Sequence, residues 1–111
     1  MVENSDMENS LLLADKFREE IGTVSWSWLR PHEKRKILFQ VAEKLDLVEV
    51  AIAVAEDRTA QVKSWLENDD LAQPTLKQVA KWEKNGGLFL GVIVKPYVFF
   101  KETVRHQEKE N

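Results

Sequence analysis

The apolar stretch over residues 47–55 constrains the fold of this chain more than any other feature of its sequence. Only Glu49 interrupts it, and its β-branched residues fall at every second position: Val48, Val50, Ile52 and Val54. Four β-branched side chains in register favour a β-strand with one buried face. Because a buried helix can carry the same pattern, the helical alternative stays open. We predict a strand over these residues.

The preceding segment, residues 36–42, shows the same period of two, and we predict that it pairs with residues 47–55 in a hairpin. With residues 43–46 as the loop, each large apolar residue faces an apolar partner: Ile37 faces Ile52, Phe39 faces Val50 and Val41 faces Val48. Such pairing gives a hairpin one buried face. The other face of the second strand is rich in alanine. It is therefore either exposed to solvent or a flat surface on which another chain packs.

Capping residues indicate three helices. Ser10, Asp57 and Thr75 have side chains that accept hydrogen bonds from free backbone amides, and Thr75 with Gln78 matches a capping box. We predict helices over residues 10–21, 57–68 and 75–85, the first ended by Gly22 and the last by Gly86. A short helical piece over residues 26–30 is expected to kink or end at Pro31.

The C-terminal part predicts strands. Residues 88–94 form an apolar run typical of a buried strand, and Pro96 is expected to interrupt the ladder, so that residues 97–101 form an edge strand or a bulged continuation. Together the segments predict an α+β fold, with a small antiparallel or mixed sheet of three to four strands and helices mainly on one face. We expect one domain over residues 10–102, between a flexible leader (1–9) and a charged tail (103–111).

The composition excludes several classes of protein. A net charge of -3 over 111 residues argues against a nucleic-acid binder that relies on a large positive field. The chain has no cysteine, hence no disulfide, thiolate metal site or thiol nucleophile. Its longest apolar run, residues 88–94, is far shorter than the ~20 residues of a membrane-spanning helix. We expect a cytoplasmic protein that uses no cofactor or metal and does not bind a membrane.

Two carboxylates are candidates for a ligand-binding or catalytic site. Asp46 precedes the predicted second strand, and Glu49 lies within it among alanines, where a buried carboxylate would need Gln40 or Lys36 as a partner. An exposed strand face is the simpler interpretation of Glu49. The sequence contains no phosphate-binding loop and no nucleophile elbow. A small enzyme or ligand binder that uses Asp46 and Glu49 is therefore our alternative hypothesis.

The segment from Trp26 to Lys36 combines aromatic and basic side chains. Trp26 and Trp28 are candidate ligand-binding residues, because aromatic rings beside cations can hold single-stranded nucleic acid. Tryptophans in small domains more often pack in the core, and the negative net charge opposes binding to nucleic acid. Single-stranded nucleic-acid binding is our weaker alternative, and we do not expect it.

The aromatic residues Tyr97, Phe99 and Phe100 lie on the strand that we expect at the sheet edge. Exposed edges pair readily with other chains, so these residues are our candidates for an interface. Since no catalytic set is recognisable, we expect a small non-enzymatic domain that binds a protein partner or a second copy of itself.

The chain also resembles a bacterial family of uncharacterised proteins, the domain of unknown function 2288. The resemblance spans residues 13–102 and rests on these positions: Trp26, Leu29, residues 45–51 (LDLVEVA), residues 55–57 (AED), Trp65, Leu66 and residues 94–98 (VKPYV). The sequence departs from the family pattern at Tyr97, where the family has tryptophan, and at Lys101, where it has glutamine. The resemblance implies a free-standing domain and no particular activity.

Overall fold

The computed structural model describes the backbone of residues 2–103 and the side chains of residues 11–103. The helices are α1 (Val2–Glu20), α2 (Trp26–Lys34), α3 (Leu47–Ala55), α4 (Thr59–Glu67) and α5 (Leu76–Asn85). The strands are β1 (Gly22–Ser25), β2 (Leu38–Val41), β3 (Leu71–Ala72), β4 (Leu88–Val94) and β5 (Tyr97–Glu102). Among the described residues, no helix combines the length and the apolar character needed to cross a membrane.

The strands form one mixed sheet in the order β1-β4-β5-β2-β3. β2 and β5 are parallel, whereas the other neighbours are antiparallel. The α+β class is confirmed, but the sheet has five strands rather than three to four. The position predicted for β5 was wrong, because β5 is the central strand. Lys95 and Pro96 form the turn of the β4–β5 hairpin, in which Val94 pairs with Tyr97, so the proline occupies no position in the ladder.

The strand predicted over residues 47–55 was wrong, and so was the hairpin. The segment is helix α3, whose N-cap Asp46 accepts a hydrogen bond from the amide of Val48 at 3.3 Å. Ala51 and Ala53, which we had placed on the back of a strand, are buried in the core. A short helix buried on most sides is apolar at nearly every position, so a period of two carries no information there. β2 pairs instead with β3 and β5.

The helix ends agree with the sequence in part. The capping box of α5 is confirmed: the Thr75 hydroxyl accepts from the backbone amide of Gln78, and the Thr75 amide donates to Oε1 of Gln78. Gly86, with φ of 70°, follows α5 as predicted. The helix predicted from Asp57 begins two residues later, at Thr59, and has no side-chain cap.

Three other predictions about helices need correction, and one about the tail lies outside the described region. α1 begins at Val2, within the predicted leader, and Gly22 opens β1 instead of ending a helix in a left-handed turn. Pro31 lies inside α2, which continues to Lys34. Residues 104–111 of the predicted tail lie outside the described residues, and the domain limits remain a prediction.

Helices cover both faces of the sheet, not mainly one. We call the face packed by α1, α3 and α4 the three-helix face, and the face packed by α2 and α5 the two-helix face. The alternation along β5 separates them, since Phe99 belongs to the core of the three-helix face while Val98 and Phe100 belong to the other. Each face therefore has its own hydrophobic cluster, and the sheet divides the two.

Candidate functional site

An apolar cleft of about 180 Å³ opens on the three-helix face, between the sheet and the ends of α3 and α4. β2, β3 and β5 supply its floor, and the two helices supply its walls. Its lining residues are Phe39, Val54, Val62, Leu66, Leu71, Tyr97 and Phe99. The cleft is the candidate functional site.

Three aromatic rings form the floor of the cleft. The ring centroid of Phe39 lies 5.9 Å from that of Tyr97 and 6.0 Å from that of Phe99, and Tyr97 and Phe99 are 6.4 Å apart. The parallel register places Phe39 beside Phe99, and Tyr97 follows because side chains two apart on a strand share a face. These rings contact one another at distances typical of aromatic pairs, so the floor is preformed.

The walls come from helical spacing. Val62 and Leu66 are four residues apart on α4 and therefore lie on one side of it, above the floor. Val54 closes the cleft from the last turn of α3. Leu66 keeps 44% of its surface exposed, although it belongs to the apolar stripe of its helix. Leu66 therefore lies at the mouth of the cleft, where its side chain is partly accessible to solvent.

The size and the lining limit what the cleft can hold. About 150 Å³ of apolar cavity is enough for a benzene ring, whereas sites for drug-sized molecules need roughly 300–1,000 Å³. The cleft therefore suits one aromatic ring or one branched aliphatic side chain. The phenol of Tyr97 is the ionisable group of its lining. No pair of acid and base faces the space, so the lining offers apolar contact and one hydroxyl rather than a catalytic set.

Asp46 and Glu49, the candidate ligand-binding carboxylates, lie at the start of α3. Asp46 caps this helix, and Glu49 is exposed in its first turn, where negative charge is favourable. Neither residue lines the cleft. Among the described residues, no group of three or more histidine, aspartate or glutamate side chains is arranged to hold a metal ion. The helix start explains both carboxylates.

Trp26 and Trp28, the other ligand-binding candidates, differ in exposure. Trp26 is buried on the two-helix face, and its indole Nε1 donates to Glu83 Oε2 at 3.1 Å. Trp28 is 38% exposed and lies against His32, with the ring centroids 5.0 Å apart. Since Trp26 is enclosed by the core, only one of the two rings is accessible for stacking on a base.

The carboxylate of Glu83 joins α2 to α5. It accepts from the Trp26 indole and, at 2.8 Å, from Nε of Arg30. The hydrogen bond from Trp26 is the largest cause that lowers the pKa of Glu83 below its ordinary value of 4.5, and the hydrogen bond and charge of Arg30 add to it. This contact links the two helices at the protein surface.

The candidate interface residues on β5 are divided between the two faces. Phe99 and Phe100 are buried, because β5 is central rather than at an edge, and their proposed role as an exposed edge has no basis in the fold. Tyr97 is 39% exposed at the mouth of the cleft. Of the three, the structure brings Tyr97 and Phe99 into the candidate site.

Lys101, one of the two positions at which we expect a departure from the pattern of the family, does not reach the cleft. Its Nζ donates to the backbone oxygens of Glu43 at 3.1 Å and Leu45 at 2.6 Å. It therefore holds the loop that leads into the cap of α3. Tyr97, the other such position, lies on the cleft floor. Lys101 therefore makes a structural contact, whereas Tyr97 belongs to the candidate site.

Comparison with protein-family models shows which family the chain belongs to. The model of a family of proteins of unknown function, DUF2288, matches residues 12–102. The chain belongs to DUF2288. The match covers each strand described above and every residue that lines the cleft, so the cleft lies within the family domain.

A solved structure of similar fold adds no activity. A solution NMR structure of PA1075 from Pseudomonas aeruginosa is similar, with 32% sequence identity and a TM-score of 0.72. The similarity covers 86% of this chain and 88% of that one. No functionally curated protein matches the chain. The comparisons therefore show the family and the fold, and leave the function to be inferred from the site.

Proposed function

We propose that this DUF2288 domain is a non-enzymatic cytoplasmic interaction module that takes one apolar side chain of a protein partner into the cleft. The observation that carries the proposal is the small, preformed cleft lined by apolar carbon and one phenol. Binding sites between proteins commonly use such pockets for an anchoring aromatic or aliphatic residue.

The chemistry of the cleft favours a protein partner over a metabolite. Small-molecule sites orient their ligands with several convergent polar groups, and this lining provides the Tyr97 hydroxyl alone. A side chain carried by a folded partner needs no such groups, because the surrounding surface orients it. The two sequence-based alternatives have less support, since Asp46 caps a helix and Trp26 is enclosed.

The test uses soluble mimics of single side chains. We would titrate the ¹⁵N-labelled protein with N-acetyl-leucinamide and with indole, and follow the amide resonances by NMR. The proposal predicts saturable shifts that centre on the residues around Phe39, Val62 and Tyr97. Glycerol, added at the same concentration, is the polar control and should leave these resonances in place.

Two variants separate the cleft from the rest of the surface. Leu66→Glu puts a charge at the mouth of the cleft on a half-exposed position of α4, so the variant should fold and lose the binding of both probes. Leu76→Lys alters an exposed leucine outside the cleft and should bind them at least as tightly as the unchanged chain. Probe binding that survives Leu66→Glu, or no binding by any variant, would refute the proposal.

A further inference from the structure

Leu76 is the most exposed large apolar side chain among the described residues, at 85%. It is the first residue of α5, directly after the N-cap Thr75, and the residue one turn later on the same side is the exposed Ala80. Nothing on its own helix covers it. Leu76 therefore presents a complete leucine side chain to any surface that approaches the start of α5.

Leu76 and the cleft lie at the same edge of the sheet, on opposite faces. β3 is an edge strand, and its Leu71 lines the cleft on the three-helix face. Only residues 73–75 separate β3 from α5, which packs on the two-helix face. One short edge thus carries both an apolar projection and an apolar recess that accommodates a side chain of its size.

The charges beside these two features are opposite. α5 carries three lysines and one acid; Lys77 directly follows Leu76, Lys81 lies one turn further along the helix, and both are exposed. The chain segments that leave the cleft wall and enter its floor carry Glu67 and Asp69, also exposed. Within residues 11–103 none of these four side chains forms an ion pair. The start of α5 is therefore basic and the segment between the cleft wall and the β3 edge is acidic, whereas two exposed lysines, Lys63 and Lys95, flank other parts of the lining.

We propose that the occupant of the cleft is Leu76 of a second copy of this chain. A two-fold axis that runs along the β3 edge turns the second copy over. The copies then lie side by side at this edge, with the two-helix face of one on the same side as the three-helix face of the other. Each copy then donates one leucine and receives one, with lysines of α5 against the acidic residues of the recess. Because the exchange is reciprocal, the assembly closes as a dimer. The inference rests on the proposed function of the cleft.

The first experiment is sedimentation equilibrium of the full chain over a range of concentrations. We expect a reversible dimer, weakened by about 30-fold or more in Leu76→Lys, the change typical of losing a central apolar anchor. Leu88→Lys is the matched control, because Leu88 is also exposed but lies on β4 beside β1, at the other side of the sheet. It should dimerise as the unchanged chain does.

The second experiment is a charge exchange between two variants. Lys77→Glu with Lys81→Glu makes both sides of the contact acidic, and Glu67→Lys with Asp69→Asn removes the acidic character of the recess. Asparagine is chosen at position 69 because the residue there has φ of 63°, which asparagine tolerates. Each variant alone should be monomeric, and an equimolar mixture should form a heterodimer, since opposite charges then meet at both contacts.

The outcomes distinguish this inference from the function on which it rests. A monomeric chain, or a dimer that Leu76→Lys leaves intact, overturns the inference, while the probe titration still decides whether the cleft binds apolar groups. Homodimers of either charge variant as tight as the unchanged chain also overturn it. If the inference holds, N-acetyl-leucinamide shifts the unchanged chain towards monomer, and Leu66→Glu does not dimerise.

Discussion

The two faces of the sheet are packed in different ways. On the two-helix face, the rings of Trp26, Trp82, Phe89 and Phe100 contact one another at centroid distances between 5.1 and 6.4 Å. Both indole N–H groups donate to carboxylates on that face, those of Glu83 and Glu102. On the three-helix face, aliphatic side chains at the ends of α3 and α4 stop short of the aromatic floor and leave the cleft.

We interpret this contrast as a division between stability and the proposed binding. Interlocking rings with satisfied polar atoms leave little freedom for the helices that carry them, so the two-helix face holds the fold. The three-helix face gives up packing at one place, where the lining side chains lose contacts that a partner can restore. A domain whose every apolar side chain was enclosed would have no comparable surface for an anchor.

The largest expected effect is on the two-helix face. Trp82→Ala removes a buried ring that contacts three others and the bond to Glu102, so we expect a loss of about 3–5 kcal/mol in the free energy of unfolding, measured with urea. Trp28→Ala, which removes a partly exposed ring, should lower the free energy of unfolding by much less. Equal losses in the two variants would contradict the conclusion that the enclosed ring cluster holds the two-helix face.

A second prediction compares one added methyl group on each face. Val98 is buried in the cluster of the two-helix face, and Val98→Ile should cost about 1–3 kcal/mol because the site has no room. Val62→Ile extends into the cleft and should raise the free energy of unfolding by about 0.5–1 kcal/mol. It should also weaken probe binding. Stabilisation at both positions would mean that both faces are loosely packed.

The sequence predicted those elements whose signals are local. The capping box at Thr75, the glycine after α5 and the apolar run of β4 are each determined by neighbouring residues, and each was recovered. The prediction for residues 47–55 failed because the sequence of a helix buried on most sides loses the 3.6-residue period of its apolar positions. The aspartate before the run and the glutamate three residues later resemble a helix start, and three alanines also favour a helix. Those signals deserved more weight than the alternation.

The site was predictable only in part, because it depends on which strands become neighbours. Tyr97 and Phe99 were chosen as candidates for a wrong reason, an edge position, and the cleft contains them for another, their pairing with β2. Nothing local in the sequence brings Phe39 beside Phe99, which lies far along the chain. Val62 and Leu66 were recognised as an apolar stripe, but the space above them exists only once α3 and α4 meet the sheet.

A third prediction tests the N-cap of α3, the helix that occupies the residues for which the sequence predicted a strand. Asp46→Ala removes the hydrogen bond to the Val48 amide and should cost about 1 kcal/mol in the free energy of unfolding. Glu49→Gln, an exposed change in the same turn, should stay within about 0.5 kcal/mol of the unchanged chain. If Glu49→Gln proved the costlier of the two, a structural or binding role for Glu49 would replace the cap as the reason for this acidic pair.

The smallest expected effect is the pH dependence of the contact between α2 and α5. The pKa of Glu83 is lowered in the folded protein, first by the hydrogen bond from the Trp26 indole and then by Arg30 and Lys34, from an ordinary value of 4.5. A depressed carboxyl pKa adds stability above the unfolded value, and this stability is lost as the pH falls through the folded value. Since the side chain is largely exposed, screening keeps the effect small.

The Trp26 indole signal reports this titration directly. In a ¹⁵N NMR series from pH 6 downwards, the Trp26 Nε1–H resonance should move with a midpoint below 4.5, while the indole of Trp28, which has no bond to Glu83, should not follow it. Glu83→Gln should abolish that titration and flatten the stability profile below pH 4.5. A Trp26 midpoint at or above 4.5 would contradict a stabilising contact between Glu83 and α2. The ring cluster alone would then hold the two helices of this face together.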